Sequence, residues 1–135
     1  MWIFAIKDGL FLRDSPSGVE VLCRTAYSGV PEAKNDPSKQ TVPNVGPLPT
    51  GAYWIGGVSE NKEHGPLAIR LIPIPQFAMY GRGGFLIHGD SIEHPGSASH
   101  GCIILPRSIR ERLIASADRG LLVISSLSTM QGVML

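Results

Sequence analysis

Phe85-Leu86-Ile87-His88-Gly89-Asp90 and, further on, Ser99-His100-Gly101-Cys102-Ile103-Ile104-Leu105-Pro106 decide how this chain is read. Phe85–Ile87 and Ile103–Leu105 are short apolar runs with the character of strands. The segment between them is rich in Gly, Ser, Pro and Asp, the composition of a surface loop. This stretch holds three of the four histidines and one of the two cysteines. His88 follows the first run and Cys102 precedes the second. Pairing of the two strands closes the loop and carries His88 across to Cys102. A thiol beside an imidazole is what nucleophilic catalysis by cysteine requires.

Outward from this stretch, the chain keeps to short β-prone runs separated by turns. Sixteen glycines and eleven prolines punctuate it, and helical periodicity is nearly absent before residue 106. Strands are expected at Trp2–Ile6, Leu10–Arg13, Val19–Ala26, Ala52–Ile55 and Leu67–Ile74. Lys7-Asp8-Gly9 suits a tight hairpin, since Asp-Gly tolerates positive φ. Gly56-Gly57 is expected to interrupt the fourth of these strands, and Gln76–Gly84 to form a Gly-rich connection. Pro31, Pro37, Pro43, Pro47 and Pro49 crowd residues 30–50, a density that leaves no regular element. So long a loop is either functional or a disordered insertion. The one convincing helix runs from Pro106 to about Arg119, with Ile109, Leu113, Ile114 and Ala117 as its apolar stripe and Gly120 at C′. Leu121–Ile124 then reads as a buried strand and Ser125–Leu135 as a loosely held tail. The fold class is therefore mostly β, a single domain over residues 1–135 with one main helix after Cys102.

With 135 residues, 43% of them hydrophobic, the chain is long enough for one real core. A net charge of +1, without blocks of either sign, gives no basic field for nucleic acid. No apolar stretch is long enough to span a bilayer. Lys7 and Asp8 end the apolar opening too early for a secretory signal, so the chain is expected to be made in the cytoplasm. Two cysteines do not make a disulfide framework, and Cys23 reads as a small buried apolar residue.

Cys102 has two candidate bases, His88 and His100. His88 is the better placed, because strand pairing brings it across, whereas Gly101 suggests a tight bend between His100 and Cys102. The amides of Gly101 and Cys102 are candidate oxyanion donors. A second chemistry is a zinc site built from His88, Asp90, His94, His100 and Cys102, although the spacing fits no compact zinc motif. A third is a non-enzymatic β domain that binds a peptide or glycan on its Pro-rich loop. His64, in a charged turn, and Glu93 with His94, in mid-loop, read as solvated surface residues.

His88, followed fourteen residues later by the cysteine of Ser99-His100-Gly101-Cys102, resembles the signature of the L,D-transpeptidase catalytic domain. Pro47-Leu48-Pro49-Thr50-Gly51-Ala52-Tyr53 resembles that family's Thr-Pro-x-Gly-x-aromatic segment. The likeness covers about residues 46–107. It implies a β-sandwich or mixed sheet of the L,D-transpeptidase type and a cysteine acyl-enzyme, without metal or cofactor. Cys102 matches the nucleophile and His88 the base. His100 and Ser99 match the motif residues that shape the pocket, and a carbonyl at or beside Gly89 would orient the imidazole. Where the family often has Asn or Arg two residues after the cysteine, this chain has Ile104; Arg107 is the candidate cation for a substrate carboxylate. The short chain further resembles small toxins of this type delivered by type VI secretion into a rival's periplasm. That implies peptidoglycan stem peptides as substrate and an immunity protein as partner.

Overall fold

In the computed structural model, which describes residues 1–59, 62–74 and 78–128, nine strands and one α-helix form among the described residues. Strands β1 (Trp2–Ala5) and β2 (Leu10–Ser15) make the expected hairpin, with Gly9 at φ +63° in its turn. β3 (Gly18–Cys23) folds back on β2, and β4 (Tyr27–Ser28) follows. Next come β5 (Gly51–Val58), β6 (Ile69–Pro73), β7 (Leu86–His88), β8 (Ile103–Ile104), helix α1 (Arg107–Ala115) and β9 (Gly120–Ile124). All nine strands belong to one mixed sheet in the order β3-β2-β1-β9-β5-β6-β7-β8-β4.

That order makes β3 and β4 the two opposite edges, yet only Arg24–Ala26 joins them. Nine strands laid flat would place the edges about 38 Å apart. The link from Cys23 to Tyr27 spans at most about 14 Å. The sheet must therefore curl until its edges almost meet, and one curled sheet does the work of a sandwich. Ala26 closes the seam: its amide donates to Gly9 O (3.1 Å) and its carbonyl accepts from Asn35 Nδ2 (3.1 Å). Inside the curl, Trp2, Phe4 and Phe11 from one half share a single buried cluster with Tyr53, Ile87 and Leu121 from the other. Each such side chain contributes about 1.5–3 kcal/mol when taken out of water.

Several boundaries differ from the sequence reading, each for a local reason. The run expected at Val19–Ala26 splits, because Cys23 ends one sheet edge and Tyr27 begins the other. β5 continues through Gly56-Gly57, which instead carry a register shift against β6. A side chain at position 56 would press on Arg70 and Ile72. β6 begins only at Ile69, since Leu67 is held at φ +59°. Residues 30–50 are ordered, and Pro31 and Pro37 each open a single 3₁₀ turn there. The expected tail passes outside the described residues after 128, as do residues 60–61 of the charged turn and 75–77 around the start of the Gly-rich connection.

Helix α1 is shorter than expected and shows a different face. It ends at Ala115, with Ser116 extended and Ala117 exposed. Ile109 and Leu113 are buried as expected, but so is Arg110. Arg119 replaces the expected glycine cap. Its Nη1 donates to Leu113 O (2.8 Å) and Ser116 O (3.2 Å), while Nε and Nη2 donate to Ile55 O and Gly56 O of β5. One guanidinium thus ends the helix and fastens it to the sheet. Replacement of Arg119 by Ala removes a donor from four carbonyls, of which Leu113 O keeps the Ser116 amide. It is expected to cost about 3 kcal/mol in urea denaturation, against well under 1 kcal/mol for Arg24→Ala on the exposed link.

Candidate active site

β7 and β8 pair in parallel, with Ile87 opposite Ile103 and His88 opposite Ile104. Continued one step back, this register puts Cys102 opposite Leu86. Ile87 and Ile103 point into the core, so Leu86, His88, Cys102 and Ile104 share the other face. Strand pairing does bring Cys102 and His88 together, but on a diagonal of about 8 Å between Cα atoms. Among the described residues no hydrogen bond joins thiol and imidazole, and two side chains of these lengths can close that diagonal. Cys102 opens onto a cleft of about 330 Å³ that His64, Arg82, Phe85 and His100 also line. Both cysteines are free, and Cys23 is buried as expected.

Two buried serines hold the nucleophile's loop. Ser99 Oγ accepts from the amides of Gly29 (2.9 Å) and Gly101 (3.1 Å) and donates to Cys102 O (2.6 Å). Ser28 Oγ donates to Gly101 O (3.1 Å) and accepts from Leu48 N (3.0 Å). Ser99 is fully buried, so it braces the loop and does not face a substrate. Because Ser99 takes the Gly101 amide, the expected pair of oxyanion donors reduces to the amide of Cys102. Gly101 itself lies at φ +140°, and a Cβ there would run into the Arg82 guanidinium. His100 is exposed at the mouth of the cleft.

His88 is 4% exposed, and its Nδ1 lies 2.9 Å from Gly89 O. A carbonyl can only accept, so the neutral ring carries its proton on Nδ1 and keeps Nε2 as its basic nitrogen. Burial pulls the imidazole below its ordinary pKa; Gly89 O opposes this, and the nearby charges of His64 and Arg110 add to it. Burial also pushes the Cys102 thiol up, against the Leu86 backbone and the charge of Arg82. Both directions favour a resting pair of neutral thiol and neutral imidazole over a preformed ion pair. A thiol held in this form needs a base to take its proton before it can attack, and the imidazole of His88 is the candidate.

Asp90 serves the loop between the two residues. It accepts from Tyr27 OH (2.6 Å) and from the amides of Ser91 and Gly96. Burial and this bond push the Tyr27 hydroxyl up to about 12. Glu93 and His94 are exposed, as expected. No three His, Cys, Asp or Glu side chains gather to hold a metal among the described residues. Arg107 is exposed and paired with Glu111 at 2.9 Å. It lines a separate cleft of about 380 Å³ beside Gly89 and Arg110, and does not line the Cys102 cleft.

Two residues of the site were not assigned to it from sequence. His64, read as a solvated turn residue, stacks on His88 with ring centroids 4.8 Å apart and planes tilted by 32°. It lines the cleft of Cys102, the cleft of His88 and the cleft of Arg107. Arg110 sets its position from behind, since Nη1 donates to Pro66 O (2.9 Å) and Leu67 O (3.0 Å) of the turn that follows. Arg82 is the cation at the Cys102 cleft. Its one sequence signal was isolation among Gly81, Gly83 and Gly84, where a lone charge has little other reason to sit.

The fold and site define a small mostly-β domain with a cysteine and two imidazoles on one open sheet face. The Tlde1 domain model matches residues 23–122, most of the chain, and the protein belongs to that family. Its members are type VI secretion effectors, enzymatic toxins that act on peptidoglycan. None of the curated proteins matches the chain. No described helix is long and apolar enough to cross a membrane.

The stacked rings give a direct test. His64→Ala uncovers His88 and removes a neighbouring charge, so the acidic limb of the kcat/KM profile should move to higher pH. Activity near pH 6 should fall about two- to fourfold. His64→Phe keeps the cover and should keep the limb close to that of the wild type.

Proposed function

We propose that the protein is an L,D-carboxypeptidase and L,D-transpeptidase that cuts tetrapeptide stems of peptidoglycan through an acyl-enzyme on Cys102. The observation that supports this best is the shared face of Cys102 and His88, with Nδ1 tied to Gly89 O and Nε2 without a hydrogen-bond partner among the described residues. The matched motif residues and the family's action on peptidoglycan supply the substrate class.

His88 Nε2 takes the thiol proton as Cys102 Sγ attacks the carbonyl of the third stem residue, at its L-centre. A carbon–sulfur bond forms and the carbonyl becomes an oxyanion, with the Cys102 amide as donor. Collapse expels the amine of the terminal D-Ala, which takes the proton back from His88. The product is a thioester on Cys102. Attack by water, with His88 again as base, gives the tripeptide and the free thiol. Attack by a D-amino acid or another stem amine gives an exchanged or cross-linked stem. Both outcomes pass through the same intermediate. Delivery to the periplasm of a target cell, with an immunity protein as guard in the producer, completes the reading.

Disaccharide-tetrapeptide incubated with the pure protein, with and without a free D-amino acid, should lose one D-Ala or exchange it, as read by mass spectrometry. Cys102→Ala should lower turnover by at least about a thousandfold with its melting transition preserved. An intact tetrapeptide in the presence of a reactive Cys102 would sink the substrate assignment. Turnover by Cys102→Ala would sink the mechanism.

A further inference from the structure

Arg82 stands between the nucleophile and the Pro-rich loop, and nothing in the reaction above employs it. Its Nη1 donates to Gln40 O and Pro47 O, both at 2.6 Å, and its Nη2 to Gly46 O at 3.0 Å. The guanidinium lies 5.7 Å from the centre of the Phe85 ring and against the Cα of Gly101, one residue before Cys102. Pro43 and Asn44, from the loop it holds, line the same cleft as Cys102. That loop is folded tightly on itself. Asn44 sits at φ +62°, Gly46 has the Lys39 carbonyl where a Cβ would go, and Gly46 N donates to Val42 O (3.1 Å). Three carbonyls of so tight a loop need a donor, and a forked guanidinium supplies them from one side chain.

We propose that Arg82 is a positioning residue of the reaction: it fastens residues 40–47 as one wall of the Cys102 cleft and fixes a positive charge beside the thiol. The charge is in place before substrate arrives, because the three carbonyls hold the guanidinium still. It offsets part of the cost of forming a buried thiolate, since its charge pulls the Cys102 thiol in the direction opposite to burial. Neither Lys nor a neutral residue reproduces both parts: Lys carries the charge without the fork, and Met carries neither.

The inference rests on Cys102 as the nucleophile, and its test needs no cell-wall substrate. Cys102 in the intact chain is alkylated with iodoacetamide across a range of pH and followed by peptide mass. Hydrogen exchange is read at the amides of Val42, Val45 and Gly46. In Arg82→Met, alkylation at pH 7 should slow about tenfold, its midpoint should move to higher pH, and the three amides should exchange faster. Arg82→Lys should retain most of the alkylation rate and still lose protection at the three amides. An Arg82→Met protein with the wild-type alkylation profile, or with wild-type protection of the loop, overturns the proposal. If Arg82→Met fails to fold, unchanged exchange in Arg82→Lys overturns it alone. A wild-type protein that alkylates as described but leaves the tetrapeptide intact counts against the substrate and leaves Arg82 standing.

Discussion

Two hydroxyl groups, Ser28 Oγ and Ser99 Oγ, hold the structure to the shape in which it can act. Both side chains are fully buried, and between them they engage the backbones of Gly29, Leu48, Gly101 and Cys102. A buried backbone group without a partner costs roughly 1–3 kcal/mol, and three irregular segments meet here with no strand to satisfy them. The serines solve this by joining the end of β4, the Pro-rich loop and the turn before Cys102 into one piece. Seen this way, the last sheet edge, the wall of the cleft and the position of the thiol are consequences of one hydrogen-bonded knot. The curl of the sheet follows as well, since β4 is drawn to the far edge by pairing with β8 while Arg24–Ala26 tethers it to β3.

The electrostatics of the site follow from the same burial. His88 and Cys102 are both drawn toward their neutral forms, the imidazole by losing solvent and the thiol for the same reason. A neutral pair is chemically quiet. In a protein made in one compartment and delivered to another, a thiol protonated at rest resists oxidation better than a thiolate does. In the proposed reaction, reactivity then depends on what the cleft supplies at the moment of attack: the basic Nε2 of His88, the cover of His64 and the held charge of Arg82. All three are set by backbone carbonyls, from Gly89 for the ring, Pro66 and Leu67 for the turn after His64, and Gln40, Gly46 and Pro47 for Arg82. Carbonyls in irregular loops are cheap acceptors, and each one here orients a side chain of the site.

Much of this was legible in the residues themselves. Alternation, turn residues and Pro and Gly density follow from local sterics, so the mostly-β class, the β1–β2 hairpin and the one helix after Cys102 could be read directly. Cys102 and His88 were readable as a candidate nucleophile and base because both stand at strand ends beside glycines. Local rules also misled where a distant group intervened. Gly120 reads as a helix cap by composition, but Arg119 does the capping with bonds that also reach β5. Arg110 lies off the apolar stripe of the helix by spacing, but the carbonyls of Leu105, Pro66 and Leu67 make its burial favourable.

The sequence by itself determined the class of fold and singled out Cys102 and His88 as candidates, because each rests on composition and spacing within a short stretch of chain. Only the tertiary structure decided that β7 and β8 run parallel, that the sheet curls until its edges meet, and that His64 and Arg82 belong to the site. Those features depend on pairings from 16 positions apart, for Ile87 with Ile103, to 77, for Tyr27 with Ile104. Nothing local encodes them: a histidine in a charged turn and an arginine among glycines have the same local preferences whether they face solvent or a thiol. What separates the two cases is which carbonyls and rings the completed fold places in front of them.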